Sequence, residues 1–227
     1  ARLLKALDEQ VGEGNYLLFL TADHGGAHNF QWMQDHGLGG GAWKLWEEIA
    51  PNLEKYLKEK LGEAADLKVI ASVNSYRIYL DKAYIAKKGL DYEQVKEAIV
   101  TFAKTAPHVV FAVDFEKIQT SSLPEPLRSK ALLGYHPRRS GDILLFLEPG
   151  WYEFGKYSSP VGTTHGSWNP YDSHIPLVFY GWKVEHGSTS REVHITDIAP
   201  TVTQMLHIQQ PNACVGEAII EITSEKE

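Results

Sequence analysis

The chain has 227 residues, of which 22 are basic and 29 acidic, so its formal net charge is -7 at pH 7, and 43% of its residues are hydrophobic. This length suits one large domain or a domain with a sizeable insertion, and the hydrophobic fraction argues against disorder. The acidic balance argues against a protein that binds nucleic acid or anionic membranes, whereas a small anionic substrate stays compatible because bound metals reverse the local field. The single cysteine excludes an intramolecular disulfide and a cysteine-based zinc site, and no apolar run approaches the length of a membrane span.

The chain begins with a predicted helix, strand and loop. Leucines at helical spacing predict a helix over residues 1–12, which opens without an initiator Met or a targeting signal, so we expect the chain to be a piece of a longer protein. An apolar run predicts a strand at Tyr16–Thr21. Residues Gly25–Gly41 are rich in Gly, His and Asn without a clear period, which indicates a loop long enough to be functional.

The middle of the chain is predicted to be an inserted subdomain over residues 43–125. Its elements are a helix, two strands, a helix and a strand, at Trp43–Lys60, Leu67–Val73, Ser75–Leu80, Leu90–Thr105 and Val109–Asp114. That order is typical of a ferredoxin-like α+β unit. Pro51 lies inside the first helix, where a second helix could begin instead, and Asp91 is placed to cap the later helix.

The rest of the chain is predicted to join residues 1–42 in an α/β core. Its elements are a helix, a strand, an aromatic-rich loop, a strand and a helix, at Leu127–Leu133, Asp142–Leu147, Gly150–Gly162, Ile175–Tyr180 and Ile195–Met205. Thr196 and Asp197 are candidates to cap the last helix. Apolar strands of this kind are typical of a mostly parallel sheet flanked by helices, so residues 1–42 and 126–227 are predicted to form an α/β domain that carries the inserted α+β subdomain.

The most informative motif is the Asp23-His24 pair, which follows the first apolar strand and precedes two glycines. Ligands in α/β folds bind just past the carboxyl ends of strands, and a carboxylate beside an imidazole can bind one divalent metal such as zinc. The alternative is structural, because an Asp at a strand end is often a turn former or helix cap, and the His beside it a surface residue.

Three further motifs follow in an order that resembles a known family. His165-Gly166-Ser167 lies in a loop, Asp172-Ser173-His174 leads into an apolar strand, and the segment 196–201 reads Thr-Asp-Ile-Ala-Pro-Thr. Together with Asp23-His24-Gly25, these motifs resemble the alkaline phosphatase superfamily, in particular the type I phosphodiesterases and nucleotide pyrophosphatases and the PafA-type bacterial alkaline phosphatases. Each motif alone is weak, but their order and content over residues 1–222 are specific.

The resemblance implies a metal-dependent phosphoric ester hydrolase with two zinc ions at the carboxyl edge of a parallel sheet and a Ser or Thr nucleophile. It implies that Asp23 and His24 bind the zinc that carries the nucleophile and that His165 binds the other zinc. The family's nucleophile, a further Asp ligand and an Asp-x-x-x-His element precede the helix that opens this chain. We therefore expect the C-terminal part of such an enzyme, with no catalytic nucleophile of its own, incomplete zinc sites and no turnover of phosphate esters by itself.

Other residues near these motifs have two interpretations each. His28 and His36 lie in the predicted loop, where a surface position is commoner than ligation, although His28 is the best stand-in if the chain captures a metal. For His174 we favour a structural role or one that orients a ligand, and Asp172 could equally be a turn former. Arg138 and its neighbours could face a phosphate, but a solvated turn that serves the scaffold is favoured.

An aromatic cluster lies near the presumed mouth of the site. Its members are Trp151, Tyr152, Phe154, Tyr157 and Trp168. These rings could stack on a substrate group, but packing is the commoner explanation.

The function predicted from the resemblance is hydrolysis of phosphate monoesters by the parent enzyme. Its rival is a phosphodiesterase or nucleotide pyrophosphatase of the same superfamily, and the alternative of another class is a non-catalytic folding or binding module. The expected partner is a small phosphate ester, with no nucleic acid and no membrane span. A homodimer is expected if apolar strand edges are exposed. The resemblance implies a periplasmic or secreted enzyme.

Overall fold

The structure is a computed structural model that describes residues 2–154 and 162–223. Its helices are α1 (Arg2–Gln10), α2 (Phe30–Asp35), α3 (Leu45–Glu48), α4 (Ala50–Leu61), α5 (Lys82–Lys87), α6 (Tyr92–Ala103), α7 (Leu127–Leu133), α8 (Pro170–Ser173), α9 (Ile198–Met205) and α10 (Ile220–Thr223). Its strands are β1 (Leu17–Thr21), β2 (Gly41–Trp43), β3 (Ile70–Asn74), β4 (Arg77–Leu80), β5 (Val109–Asp114), β6 (Ile143–Leu147), β7 (Trp151–Glu153) and β8 (Leu177–Gly181). None of the helices in these described ranges is both long and apolar enough to cross a membrane.

The chain divides into two units, which are described separately. One unit joins the residues up to His24 to those from His174 onward, and the other runs from Gly25 to Ser173. Their bounds differ from the predicted domain ranges, 1–42 with 126–227 and 43–125. The first unit contains α1, β1, β8, α9 and α10, and the second contains the remaining elements.

The first unit contains a two-stranded ribbon made of β1 and β8. The strands pair antiparallel, with Leu17 opposite Gly181 and Thr21 opposite Leu177. The apolar runs predicted both strands, but the spacing of apolar side chains says nothing about strand direction. Among the described residues, the expected parallel pairing is found only between β2 and β7.

The Thr-Asp-Ile-Ala-Pro-Thr segment is a structural support of the first unit. The carboxylate of Asp197 accepts the backbone N–H groups of His194 at 2.8 Å and Glu217 at 3.0 Å. The hydroxyl of Thr201 donates to the Asp197 carbonyl at 2.6 Å and accepts the N–H of Ile219 at 2.9 Å. Asp197 is the N-cap residue of α9, as predicted, but its side chain makes no capping bond to that helix. It closes the preceding 3-10 turn at Ile195–Asp197 instead, and these bonds join the start of α9 to the residues before α10.

An exposed ion pair in the first unit gives a test of its electrostatics. Arg191 donates to both carboxylate oxygens of Glu221, at 2.9 and 2.6 Å, and thereby lowers the pKa of Glu221 to about 2. The depressed pKa means that the pair favours the native state above about pH 4.3, the ordinary value for Glu, and that this contribution is lost as pH falls toward 2. We expect Arg191→Gln to return the pKa of Glu221 toward about 4.3, measured by NMR titration. Glu192→Gln, at the neighbouring residue, is the control and should leave the titration of Glu221 in place.

The second unit is organised around a four-stranded antiparallel sheet. The strand order is β3-β4-β6-β5, and α4 and α6 contribute to its core through Leu53, Leu57, Val95 and Ile99, which are almost fully buried. This is the strand order of a ferredoxin-like unit in which the strand that normally comes first, here β6, comes last in the chain. That strand, β6, lies beyond residue 125, where the predicted subdomain ends. All five residues of β6 are buried, and such an apolar run has the same pattern in a parallel core as in the centre of this sheet.

Several helices differ from their predicted bounds. The predicted helix from residue 43 is divided, because Trp43 belongs to β2, and α4 begins at Ala50 with Pro51 in its first turn, as the alternative allowed. The predicted loop 25–41 contains the short helix α2, which begins where the side chain of Asn29 accepts the N–H groups of Gln31 and Trp32. Asp91 caps α6 as predicted, accepting the N–H of Gln94.

Candidate metal centre

Asp23 and His24 lie in the first unit, directly after β1. The backbone N–H of His24 donates to Asp23 Oδ1 at 3.1 Å, and His24 Nε2 lies 3.7 Å from Asp23 Oδ2. The Asp23 side chain is 90% exposed and that of His24 38% exposed, so both can be reached by an ion from solvent. Two ligand atoms of a tetrahedral zinc ion lie roughly 3.3 Å apart, which is close to the observed separation. The pair therefore fits one zinc ion as two of its ligands.

Among the described residues, neither unit holds a complete set of metal ligands. A catalytic zinc ion usually keeps three protein ligands. Within each unit, over residues 2–154 and 162–223, no three His, Cys, Asp or Glu side chains lie close enough together to hold a metal. His174 is in the same unit as the Asp23-His24 pair, where it is exposed and leads into β8. The donor chemistry of Asp23 and His24 thus suits zinc, but two ligands are fewer than the three that a catalytic zinc ion usually keeps.

His165 lies in the second unit, in an exposed loop that is held at its beginning by residues 27–29. The hydroxyl of Thr163 donates to the Ala27 carbonyl, and the N–H of Ala27 donates to the Thr164 carbonyl at 3.1 Å. The side-chain amide of Asn29 donates to the Gly162 carbonyl. His165 follows directly on these paired residues, so the start of its loop is fixed by backbone as well as side-chain bonds.

The end of the same loop is fixed by Asp172, which is 4% exposed. Its Oδ2 accepts the N–H of Ser167 at 2.7 Å, and its carbonyl accepts the N–H of Gly25, also at 2.7 Å. Its Oδ1 is buried and has no hydrogen-bond partner in the part of the chain that the structure describes. Asp172 is thus a turn residue of the His165 loop, and one of its carboxylate oxygens is buried without a hydrogen bond from any described residue.

The two loop histidines near α2 flank a tryptophan. The ring of His28 stacks on Trp32 with centroids 4.7 Å apart, and Trp32 stacks on His36 at 4.1 Å. His36 Nδ1 also lies 2.7 Å from the Trp32 carbonyl. These contacts account for both histidines as surface residues that pack on Trp32. Ligation by His28 stays a prediction.

The aromatic residues of the predicted cluster make packing contacts in the second unit. Tyr152 is 2% exposed, and its hydroxyl donates to the His28 carbonyl at 2.9 Å. Trp151 stacks on His108 at 3.4 Å. Phe154 meets Phe30 edge to face at 5.6 Å. Tyr157 lies outside the described residues. The contacts of Tyr152, Trp151 and Phe154 favour packing over substrate stacking.

The turn that contains Arg138 continues as Arg-Ser-Gly-Asp at residues 139–142, directly before β6. It supports the scaffold, which is the interpretation that the sequence favoured. The Ser140 hydroxyl is buried and accepts the His136 N–H at 2.7 Å, and the Asp142 carboxylate accepts the N–H of Leu80 at 2.6 Å and the hydroxyl of Tyr92. These bonds fix the entry of the chain into β6.

Sequence reasoning missed the contact between Tyr76 and Glu153 in the second unit. Glu153, on β7, accepts the backbone N–H of Tyr76, and its burial raises its pKa above the ordinary value for Glu. Tyr76 is 6% exposed, although it lies in a hairpin turn where an exposed residue is expected. The one available signal was a bulky aromatic residue two positions after Asn74, at a turn position that favours small residues.

Comparison with known proteins shows a match over most of the chain. A family model described as type I phosphodiesterase / nucleotide pyrophosphatase matches residues 1–168. Alkaline phosphatase PafA of Elizabethkingia meningoseptica is 41% identical over 216 residues, and alkaline phosphatase PhoV of Synechococcus elongatus is 35% identical over 216 residues. A protein of Myroides odoratus named as a calcium-transporting ATPase is 42% identical over 221 residues.

The fold also agrees with a solved structure of an alkaline phosphatase. The crystal structure of wild-type alkaline phosphatase PafA matches 98% of this chain with a TM-score of 0.86 and 39% sequence identity, which confirms the expected alkaline-phosphatase-like fold. The match covers 41% of that chain. The curated relatives show the same proportion, since this chain spans 95–97% of itself but only 37–39% of the length of the three proteins above.

Proposed function

The chain belongs to the type I phosphodiesterase / nucleotide pyrophosphatase family, and from that membership we propose that it is the C-terminal part of a two-zinc hydrolase of phosphate monoesters. The observation that carries the proposal is the Asp23-His24 pair, whose donor atoms lie 3.7 Å apart just past β1. The names of the relatives support it, because PafA and PhoV are both alkaline phosphatases.

In this proposal Asp23 and His24 hold one zinc ion and His165 is a ligand of the second. Bound zinc would supply Lewis acidity toward the phosphate oxygens and a means of activating a nucleophile at neutral pH. Asp23 brings a negatively charged oxygen, and His24 and His165 bring imidazoles that must be neutral to ligate. The bonds from Thr163, Thr164 and Ser167 hold the His165 loop in place before any ion binds.

We propose further that the chain hydrolyses no phosphate ester by itself. The described residues contain no group of three metal ligands, so neither zinc site is complete within a unit. The Ser or Thr nucleophile and the remaining ligands would come from protein outside this chain. By the same resemblance we propose a periplasmic or secreted location for the whole enzyme.

Zinc titration of the chain tests the metal role. We expect calorimetry at pH 7 to detect Zn²⁺ binding that Asp23→Ala and His165→Ala each weaken at least about tenfold. The control is His186→Ala, an exposed histidine outside the motifs, which should leave binding unchanged. Binding that neither Asp23→Ala nor His165→Ala weakens would overturn the proposal and favour a non-catalytic folding or binding module.

A second candidate, a phosphodiesterase or nucleotide pyrophosphatase, is favoured by the description of the matching family model. Comparing the rates of a full-length enzyme on p-nitrophenyl phosphate and on bis-p-nitrophenyl phosphate separates the two. A preference for the monoester supports the first proposal, and a preference for the diester supports the second.

The apolar surface of the β1–β8 ribbon leads to a proposal about self-association. Phe19, Leu20, Val178 and Tyr180 are 43–60% exposed, and they lie on both faces of the ribbon. Uncovered apolar strands tend to pair with other chains. We propose that the isolated chain forms a homodimer through this ribbon and that Leu20→Glu weakens it. A light-scattering mass that stays at 25.5 kDa over a wide concentration range would contradict this.

A further inference from the structure

The turn between β3 and β4 is held in an unusual backbone conformation. Ser75 and Tyr76 both have positive φ, at 52° and 62°. A two-residue hairpin turn of this kind favours Asn-Gly, and a bulky residue in the left-handed region is an outlier. Such a conformation costs free energy and persists only where the surrounding structure determines it. The reason for placing a tyrosine here therefore lies outside the hairpin.

Tyr76 is held by contacts of its backbone N–H, its carbonyl and its ring. Its backbone N–H donates to Glu153 Oε2, and its carbonyl accepts the N–H of Leu145 at 2.8 Å. Its side chain is directed into the interior, with the residue 6% exposed, and its ring meets that of Trp168 edge to face at 5.5 Å. The strained turn thus places the Tyr76 ring against the ring of Trp168.

Trp168 connects this ring to the His165 loop. It follows His165 by three residues, and its ring lies 4.2 Å from that of Phe146 as well as against Tyr76. Trp168 packs against two buried apolar clusters of the second unit, one that contains Ile143 and Leu145 and one that contains Leu144 and Phe146. It thereby ties the loop to the core of the four-stranded sheet. Ser167, which directly precedes Trp168, donates its N–H to the buried carboxylate of Asp172.

We propose that Tyr76 is a positioning residue for His165, acting through Trp168. The hairpin of the ferredoxin-like sheet thereby sets where the loop places its imidazole. The inference rests on the proposed function, in which His165 is a zinc ligand. It differs from a simple packing role because it predicts an effect confined to the loop and to His165, beyond any change in overall stability.

Three substitutions in the turn separate the ring from the strain. Tyr76→Gly suits the left-handed backbone but removes the ring, whereas Ser75→Gly relieves strain at the preceding residue and keeps the ring. Tyr76→Phe keeps the ring without the hydroxyl. Two readouts on the 227-residue chain report on the loop: amide hydrogen exchange over residues 162–173, and the NMR signal of the His165 ring before and after addition of Zn²⁺ alone.

We expect Tyr76→Gly to speed exchange at the Ser167 amide at least about tenfold and to broaden the His165 ring signal. Tyr76→Phe should restore both to wild-type values, and Ser75→Gly should leave both unchanged. Exchange at Ser167 and a His165 signal that stay at wild-type values in Tyr76→Gly would overturn the proposal. If Tyr76→Gly does not fold, Tyr76→Leu, which keeps apolar volume but no ring, must speed exchange at Ser167, and unchanged exchange in it overturns the proposal equally.

The two proposals can fail independently. If the His165 signal of the wild-type chain does not respond to Zn²⁺, the metal role fails. The exchange data, recorded without metal, still decide whether Tyr76 positions the loop.

Discussion

Replacing Gly25 by alanine is expected to destabilise the chain by about 1–3 kcal/mol, whereas the same change at Gly26 should leave its stability almost unchanged. An alanine Cβ at position 25 would lie 2.1 Å from the carbonyl oxygen of Tyr171 and 3.1 Å from Asp172 Cα. Both are backbone atoms, which cannot rotate away. At position 26 the added Cβ meets no atom of the described residues within 4 Å.

The two glycines form a matched pair because the backbone N–H of each donates to a carbonyl of the same neighbouring segment. The N–H of Gly25 donates to the Asp172 carbonyl at 2.7 Å, and that of Gly26 donates to the Tyr171 carbonyl at 2.9 Å. Alanine also restricts the unfolded chain, which by itself favours folding by about 0.4–1 kcal/mol at positions that accept it. Gly26→Ala should therefore be neutral or slightly stabilising, and the difference between the variants isolates the close approach at Gly25.

Urea unfolding of the two variants measures this difference. The clash displaces the segment that ends the His165 loop, so Gly25→Ala should also speed amide exchange at Ser167, which Asp172 holds. Equal unfolding midpoints for Gly25→Ala and Gly26→Ala would show that the loop yields without cost. A lower unfolding midpoint for Gly25→Ala alone would show that the packing of one backbone on another requires the first glycine of the motif and not the second.

Local signals in the sequence predicted much of the fold. The bounds of β5 and α7 agree with the predictions to the residue, and Asp91 caps α6 as expected. These features depend on neighbours in the chain, on apolar spacing and on side chains that bond the next few N–H groups. Pro51 likewise marks the start of α4 because proline fits the first turn of a helix.

Long-range pairing could not be predicted in the same way. The apolar run of β6 was recognised, but nothing within it shows that its neighbours are β4 and β5. The antiparallel pairing of β1 with β8 joins residues about 160 positions apart in the chain, and its direction is set by packing. Helix α2 is only six residues long, which is too short for an apolar period to reveal it.

Only the part of the candidate site that is made by residues adjacent in sequence was predicted. Asp23 and His24 are adjacent in sequence and in space, so the motif itself gave the donor pair. The support of the His165 loop by Tyr76 depends on a hairpin about 90 residues earlier in the chain. A turn residue with its side chain buried contradicts the ordinary expectation for turns, and such local exceptions tend to occur near functional sites.

Replacing Lys96 by methionine is expected to cost about 3–5 kcal/mol of stability, the range for removing one partner from a buried ion pair. Lys96 is 1% exposed, and its ammonium lies 2.8 Å from Glu93, 3.0 Å from Asp114 and 2.8 Å from Glu116. Burial alone would lower the pKa of Lys96, but the hydrogen bonds to these three carboxylates outweigh it and raise the pKa above its ordinary value. Methionine keeps the length of the side chain and leaves three carboxylates without their shared cation.

Lys117 provides a matched control because it contacts two of the same carboxylates. Its ammonium lies 2.7 Å from Glu93 and 3.4 Å from Asp114, but its side chain is 59% exposed. Exposed ion pairs contribute about 0–1 kcal/mol, so Lys117→Met should cost no more than about 1 kcal/mol. Equal losses in the two variants would show that burial of Lys96 adds nothing to the cluster.

The pH dependence of the Lys96→Met effect tests its electrostatic origin. Hydrogen bonds from Lys117 and Lys96 lower the pKa of Glu93, so this carboxylate stabilises the native state above about pH 4.3, and the contribution is lost as pH falls through its depressed pKa. In Lys96→Met the charge of Glu93, which has lost Lys96 as a partner, still disappears when Glu93 is protonated. The stability difference between wild type and variant, from urea unfolding, should therefore narrow as pH falls below about 4.3, the ordinary value for Glu. A difference independent of pH would mean that the lost contacts of the lysine stem, and not its charge, account for the destabilisation.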